Sequence, residues 1–351
     1  MTAGGPVRVV VVEDSPSQRA HLVRALQADG DIVVVGEAQS APEAIRAVER
    51  LRPDVITLDL VIPDGGGQYA IEQIMARMPT PILVLSATFD SREATPAIDT
   101  LVAGALGAFP KPRRWTAPDE VALRQRLRSL NGVTVVRHPR GHIKTSSLVS
   151  GRKSRGPTRP IVTGHRVVAL AASTGGPPAL ATILSGLGSL RAPVLVVQHI
   201  HPDFVDSLVD WMDKVTDLTV CRAETGQRLE PGTVYIGPGG VHLRVDSHRR
   251  ILLDPEPFML HRPSASELLS SLARHVGADG IGVVLTGMGE DGADGLLELR
   301  RAGGTTIAQD AASSTVFGMP RAADRIGAAA SVVPLGAIAA TILRAAQDKR
   351  R

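Results

Sequence analysis

Short runs of consecutive apolar residues recur through the first third of the chain: "VRVVVVE", "DIVVVGEA", "PDVITLDL", "PILVLSA" and "ALGAFPK". They are too brief for helices and rich in Val, Ile and Leu, a pattern that predicts strands buried on both faces. Between them, "SQRAHLVRALQADG" and "APEAIRAVERL" space their apolar residues three and four apart, as an amphipathic helix does. Strand and helix alternate, so a parallel sheet covered by helices is expected.

The periodicity fades between Asn131 and His165, where "RHPRGHIKTSSLVSGRKSRGPTRP" is dominated by Arg, Lys, Ser, Gly and Pro. That composition predicts a solvated linker. Alternation resumes with "RVVALAA", "GGPPALATILSGL", "APVLVVQHIHP" and "GIGVVLTGMGEDGADGLLELRR", while "LRVDSHRRILLD" predicts a β-hairpin added antiparallel to the second sheet. The expected fold class is α/β with two doubly wound domains. A flavodoxin-like parallel sheet spans 5–130, a basic linker 131–164, and a Rossmann-like, mostly parallel sheet with the antiparallel hairpin 165–345.

Composition narrows the function classes. With 351 residues, 43% of them hydrophobic and 21% charged, the chain can bury two cores. The apolar run at the amino terminus is too short for a signal-peptide core and ends at Glu13 and Asp14. No run approaches the roughly 20 apolar residues of a transmembrane helix, so no membrane insertion and a cytoplasmic location are expected. Cys221 is the single cysteine, which excludes an internal disulfide. The net charge of +4 is concentrated, since no acidic residue falls between Glu120 and Asp203. This basic stretch has neither a recognition-helix pattern nor interleaved aromatics, which argues against nucleic acid and leaves docking on an acidic protein as its main functional alternative. Oligomeric state is left open.

In open parallel sheets, functional groups collect at the carboxyl ends of the strands. In the first domain those groups are Glu13, Asp14, Asp59, Ser86 and Lys111. Three carboxylates gathered there repel one another unless a cation neutralises them, and hard oxygen donors suit Mg²⁺. With a hydroxyl and a lysine beside them, they form a set able to hold a transferring phosphoryl group. This half, from about Val7 to Leu130, resembles the receiver domain of two-component response regulators. The resemblance implies Glu13, Asp14 and Asp59 as metal ligands, Asp59 as the phosphoacceptor, and Ser86 and Lys111 as phosphoryl-switch residues. One departure stands out: Ala108 occupies the position where the family usually has a switch aromatic, with Phe109 next to it.

In the second domain, Ser173 falls between a strand ending at Ala172 and a helix opening with "GGPP". Free N–H groups at the helix start favour developing negative charge, which suits a nucleophile, although a serine here also fits a helix cap. "STGG" is neither the G-x-S-x-G elbow nor a phosphate-binding loop. His199 ends the next strand, where it can serve as base, and Asp291 lies in a later strand-to-helix loop, where it can hold the imidazole. His201, His242 and His261 compete for the first role, and Glu290 and Asp294 for the second. Arg262 and Ser264, in "HRPSASELL", are candidates for lining a substrate cleft.

The stretches "ASTGG", "VVQHIHPDF", "VYIGPGGVHL", "HRPSASELL", "GVVLTGMGEDG", "GTTIAQD" and "FGMPRAA" make the half from about His165 to Ala340 resemble the catalytic domain of the chemotaxis protein-glutamate methylesterases, the CheB family. The resemblance implies Ser173 as nucleophile, His199 as general base and Asp291 as orienting acid. It places Thr174 beside the nucleophile and makes Met288 a backbone donor to the oxyanion. Glu290 stands where Asn is common, and a charge there is expected to raise the pKa of one carboxyl if it lies close to Asp291. The implied substrates are γ-glutamyl methyl esters, and related glutamines, on methyl-accepting chemotaxis receptors, with a chemotaxis-type histidine kinase as phosphodonor. In the family the unphosphorylated receiver packs over the cleft, and phosphorylation relieves the block. Two other classes share these residues: a phosphorylation-gated adaptor without activity, and a serine esterase or amidase acting on a different protein.

Overall fold

The computed structural model describes residues 5–86, 98, 100, 101, 103–133, 135, 165–259 and 261–348. The chain divides into two compact units, Met1–His142 and Ile143–Arg351. Most of the basic linker lies outside the described residues.

The first unit runs β1 (Val7–Val12), α1 (Pro16–Gln27), β2 (Ile32–Ala38), α2 (Ala41–Leu51), β3 (Val55–Asp59), α3 (Gly66–Arg77), β4 (Ile82–Ser86), β5 (Gly107–Pro110) and α4 (Ala117–Leu130). All five expected strands are present, paired in parallel in the order β2-β1-β3-β4-β5. Every residue of β3 and β4 is buried, as their unbroken apolar sequence requires. Leu22 and Leu26 of α1 and Leu123, Leu127 and Leu130 of α4 close one face over Val7, Val9 and Val11. Phe109 packs on this same face, stacked on Trp115 at 6.3 Å, whereas neighbouring strand residues point to opposite faces. It therefore occupies the face opposite Ala108 and does not substitute for an aromatic there.

The second unit comprises β6 (Val167–Ala172), α5 (Gly176–Ser185), β7 (Val194–Gln198), α6 (Val205–Val215), β8 (Thr219–Arg222), β9 (Thr233–Ile236), β10 (His242–Val245), β11 (Ile251–Asp254), α7 (Ala265–His275), β12 (Gly280–Val284), α8 (Ala293–Arg301), β13 (Thr305–Gln309), α9 (Met319–Arg325), β14 (Ser331–Val333) and α10 (Leu335–Gln347). Seven strands pair in the order β14-β13-β12-β6-β7-β9-β8, and every pairing is parallel. The hairpin exists but pairs only with itself, β10 against β11, as a separate two-stranded sheet rather than an addition to the main one. It is held by side chains instead: Leu243, Val245 and Ile251 enter the same core as Leu268, Leu269 and Leu272 of α7 and Leu296 and Leu299 of α8. Among the described residues no helix is long and apolar enough to cross a membrane.

Candidate active site

The chain reverses its direction of sheet growth at β6: β7 lies on one side and β12 on the other. Such a switch point opens a crevice beyond the carboxyl ends of the strands. Ala172 pairs with Gln198, and His199 N donates to Ala172 O at 2.9 Å, so Ser173 and His199 leave the sheet side by side. On the other flank Ser173 N donates to Thr286 O at 3.0 Å. Three strands thereby fix the backbone around one hydroxyl.

His199 Nε2 lies 2.8 Å from Asp291 Oδ2. Asp291 is further held by Ser264 Oγ (2.8 Å), Ala265 N (2.7 Å) and Ser266 N (3.0 Å), the last two at the amino terminus of α7. Burial would raise its pKa, but the hydrogen bond and charge of His199 and the backbone donors more than offset this, holding the carboxyl well below the ordinary 3.8. An ionised carboxylate only accepts, so in neutral His199 the proton sits on Nε2 and Nδ1 carries the lone pair. His199 Nδ1 is buried and has no hydrogen-bond partner among the described residues.

Helix α5 starts where Gly175 adopts φ +75°, and its first residue Gly176 leaves room that a Cβ would take 1.9 Å from Gln198 Oε1. Gln198 Nε2 donates to Ser173 O (2.8 Å) and His199 O (3.1 Å), tying the two strand ends together. Thr174 is 2% exposed, and its hydroxyl is likewise buried without a partner. Opposite, Gly287 O accepts from Gly318 N (3.1 Å) and Met319 N (2.9 Å). Across a trans peptide the N–H points away from the carbonyl, so Met288 N–H is turned from those donors, and no acceptor meets it among the described residues. A Cβ on Gly287 would lie 2.7 Å from Ser173 Cβ, so this loop abuts the serine.

In the first unit, Glu13, Asp14 and Asp59 bring ligand atoms within 4.8 Å of one another. Lys111 Nζ bridges Asp59 and Glu13, 2.5 Å from Glu13 Oε2, and Ser86 is buried at the adjoining strand end. Burial raises the Glu13 pKa and Lys111 offsets this only in part. Burial alone would lower the Lys111 pKa, yet contact with Asp59 and Glu13 raises it. Glu13, Asp14, Asp59 and Lys111 thus meet at one edge of the sheet, and Ser86 ends the strand beside them, its carbonyl accepting from Lys111 N at 2.7 Å.

The family described as CheB methylesterase matches residues 168–342, and the response regulator receiver domain matches 9–128. A protein-glutamate methylesterase/protein-glutamine glutaminase of Anaeromyxobacter dehalogenans is 42% identical over 342 residues, covering 95% of this chain and 97% of the relative. The chain belongs to the CheB family. A second relative of the same description, from Myxococcus xanthus, is 42% identical over 350 residues, covering 98% of this chain and 95% of its own. The crystal structure of the Thermotoga maritima CheB methylesterase catalytic domain aligns with a TM-score of 0.50 at 36% identity, covering 51% of this chain and 97% of that one. The protein is thus a CheB-type response-regulator methylesterase/glutaminase.

Within this CheB chain the rival site residues fall elsewhere, except for His261. His201 pairs with Asp203 at 3.5 Å, and His242 is buried beneath the segment preceding α7. His261 stacks on His199 with ring centroids 4.3 Å apart. Glu290 is 70% exposed and pairs with Arg325, and Asp294 is exposed on α8. The upward push expected if Glu290 lay close to Asp291 does not arise: Glu290 pairs with Arg325, and the Asp291 carboxyl moves down, held first by His199 and then by the backbone donors of α7. Arg262 lies over the Phe258 ring at 4.1 Å. Gln198 and Ser266 were not singled out in the sequence, where each reads as an ordinary polar residue at an element end, and Ser264, expected as a cleft-lining candidate, instead supports Asp291.

Proposed function

We propose that Ser173, His199 and Asp291 form a catalytic triad that hydrolyses γ-glutamyl methyl esters, and deamidates glutamines, on the cytoplasmic helices of chemoreceptors. The observation that carries this reading is the His199–Asp291 pair, with an unpartnered Nδ1 at the strand end beside Ser173. Ser173 Oγ attacks the γ-carbonyl while His199 Nδ1 takes its proton and then delivers it to methanol or ammonia. Asp291 keeps Nε2 protonated and stabilises the imidazolium. Water, deprotonated by the same nitrogen, frees the acyl group. Met288 N–H and the donors around Thr174 bind the oxyanion. Exposed Phe258 and the half-buried Arg262 across its ring contact the receptor helix.

The catalytic domain of this reading is 165–345 and the receiver 5–130, with Asp59 as phosphoacceptor. A buried Glu13 beside Asp14 and Asp59 fits a hard divalent cation, and Mg²⁺ bound there supplies charge neutralisation for the incoming phosphoryl group. Lys111 pairs with the phosphorylated side chain and the Ser86 hydroxyl donates to a phosphoryl oxygen. Phosphorylation by a chemotaxis-type kinase shifts a two-state equilibrium toward the more active enzyme. The protein works in the cytoplasm, where receptor helices and kinase are reached.

Reaction with a sulfonyl fluoride tests the nucleophile. Peptide mapping is expected to locate the adduct on Ser173, and His199→Gln to slow its formation. An adduct at another residue, or unchanged hydrolysis of a small ester by Ser173→Ala, would overturn the assignment.

A further inference from the structure

We infer that His242 is a positioning residue of the active site, clamping the segment that carries Ser264 and His261 to the triad. The inference rests on the roles proposed above for Asp291 and His199. His242 opens β10 and is fully buried at 0% exposure. Arg244, two residues on and so on the same face of the strand, donates to Glu267 (2.9 Å), Asp254 (2.6 Å) and Glu256 O (2.9 Å). This face of β10 is therefore built to hold the chain between β11 and α7.

The two ring nitrogens of His242 grip that chain at two points. Nδ1 accepts from Ser264 N at 3.1 Å, and Nε2 donates to Pro257 O at 2.8 Å. A backbone N–H can only donate and a carbonyl can only accept, so the ring is neutral with its proton on Nε2. One imidazole thus ties Pro257 to Ser264, and Gly240 N adds a tie to Arg262 O at 3.0 Å. The segment reaches the triad twice. Ser264 Oγ donates to Asp291 Oδ1, and His261 stacks on His199. It also displays Phe258, 78% exposed, with Arg262 across its ring.

The two grips serve different ends. The Ser264 bond sets the support of Asp291 and hence turnover, while the Pro257 bond fixes the neighbouring exposed Phe258, with Arg262 across its ring, and hence substrate binding. Losing the Ser264 bond leaves a buried N–H unpaired, and losing the Pro257 bond releases an exposed stretch of chain from its anchor, so the segment shifts in either case.

Two amide replacements in the full-length protein separate the grips, because the Asn oxygen overlays imidazole Nδ1 and the Gln nitrogen overlays Nε2. His242→Asn keeps the Ser264 acceptor and is expected to leave kcat for a methylated receptor fragment within about threefold while raising KM about tenfold. His242→Gln keeps the Pro257 donor and is expected to lower kcat about 10- to 100-fold, as small displacements of catalytic groups do, with little change in KM. The downfield proton resonance of the His199–Asp291 bond should persist in the Asn variant and move in the Gln variant. Because His242 acts through Ser264, adding Ser264→Ala to His242→Gln should cost less than the sum of the two. Equal losses in kcat and KM in both variants, or none in either, would overturn the inference. So would nitrogen shifts showing the wild-type ring protonated on Nδ1 at neutral pH, a measurement that needs no variant. Wild-type protein that releases no methanol and takes no label on Ser173 would instead contradict the proposed function.

Discussion

Asp291 concentrates the electrostatics of the site, because one carboxylate receives the imidazole, a serine hydroxyl and two helix-terminal N–H groups. Its lowered pKa links it to stability. The fold prefers the ionised form, so the stabilisation is complete above the ordinary 3.8 and is lost as pH falls toward the lower folded value. Denaturant titrations of wild type and Asp291→Asn should therefore differ at neutral pH and converge as the medium is acidified below 3.8; a gap that widens on acidification would contradict the assignment. The same substitution should reduce kcat by about 10⁴, through the wrong imidazole tautomer. Ser173, His199 and Asp291 stood out in the sequence as strand-end and strand-to-helix residues with several rivals, and it was the resemblance to the family that singled them out. Ser264 was expected only as a candidate for lining the cleft, although a serine before a helix also fits a cap. It is one, accepting from Glu267 N at 3.4 Å, but its hydroxyl proton goes to Asp291.

At the level of elements, the strands were the most readable part of the chain because burial on both faces leaves an unbroken apolar run. The hairpin was read correctly as a hairpin, yet its separation from the main sheet was not legible. Alternation reports which residues are buried, not which neighbour covers them, and β10 and β11 bury theirs against α7 and α8. The contact of α5 with β7 likewise depends on a missing side chain. Gly176→Ala would push a Cβ to 1.9 Å from Gln198 Oε1 and 2.9 Å from Ala172 Cβ. Thermal unfolding should show a destabilisation of about 1–3 kcal/mol. Hydrolysis should also fall about 10-fold or more as Gln198 releases the backbones of Ser173 and His199. Wild-type activity in that variant would show that Gln198 does not hold the strand ends.

For the whole molecule, two sheets each carry their chemistry at a switch point, β1/β3 in the receiver and β6/β12 in the esterase. Asp59→Asn should abolish any response of esterase activity to a small phosphodonor, read as equal rates with and without it. Ala108 lacks an aromatic ring and Phe109 packs on the other face, so the response should not depend on a ring at 108; an Ala108→Tyr protein with a response at least about tenfold larger than wild type would contradict this. The most direct test of the account is methanol release from methylated cytoplasmic receptor fragments by wild type and Ser173→Ala, each with and without phosphodonor. Release that requires Ser173 and rises on phosphorylation is predicted. Release that persists in Ser173→Ala, or none from folded wild type with Asp59 phosphorylated, would contradict it.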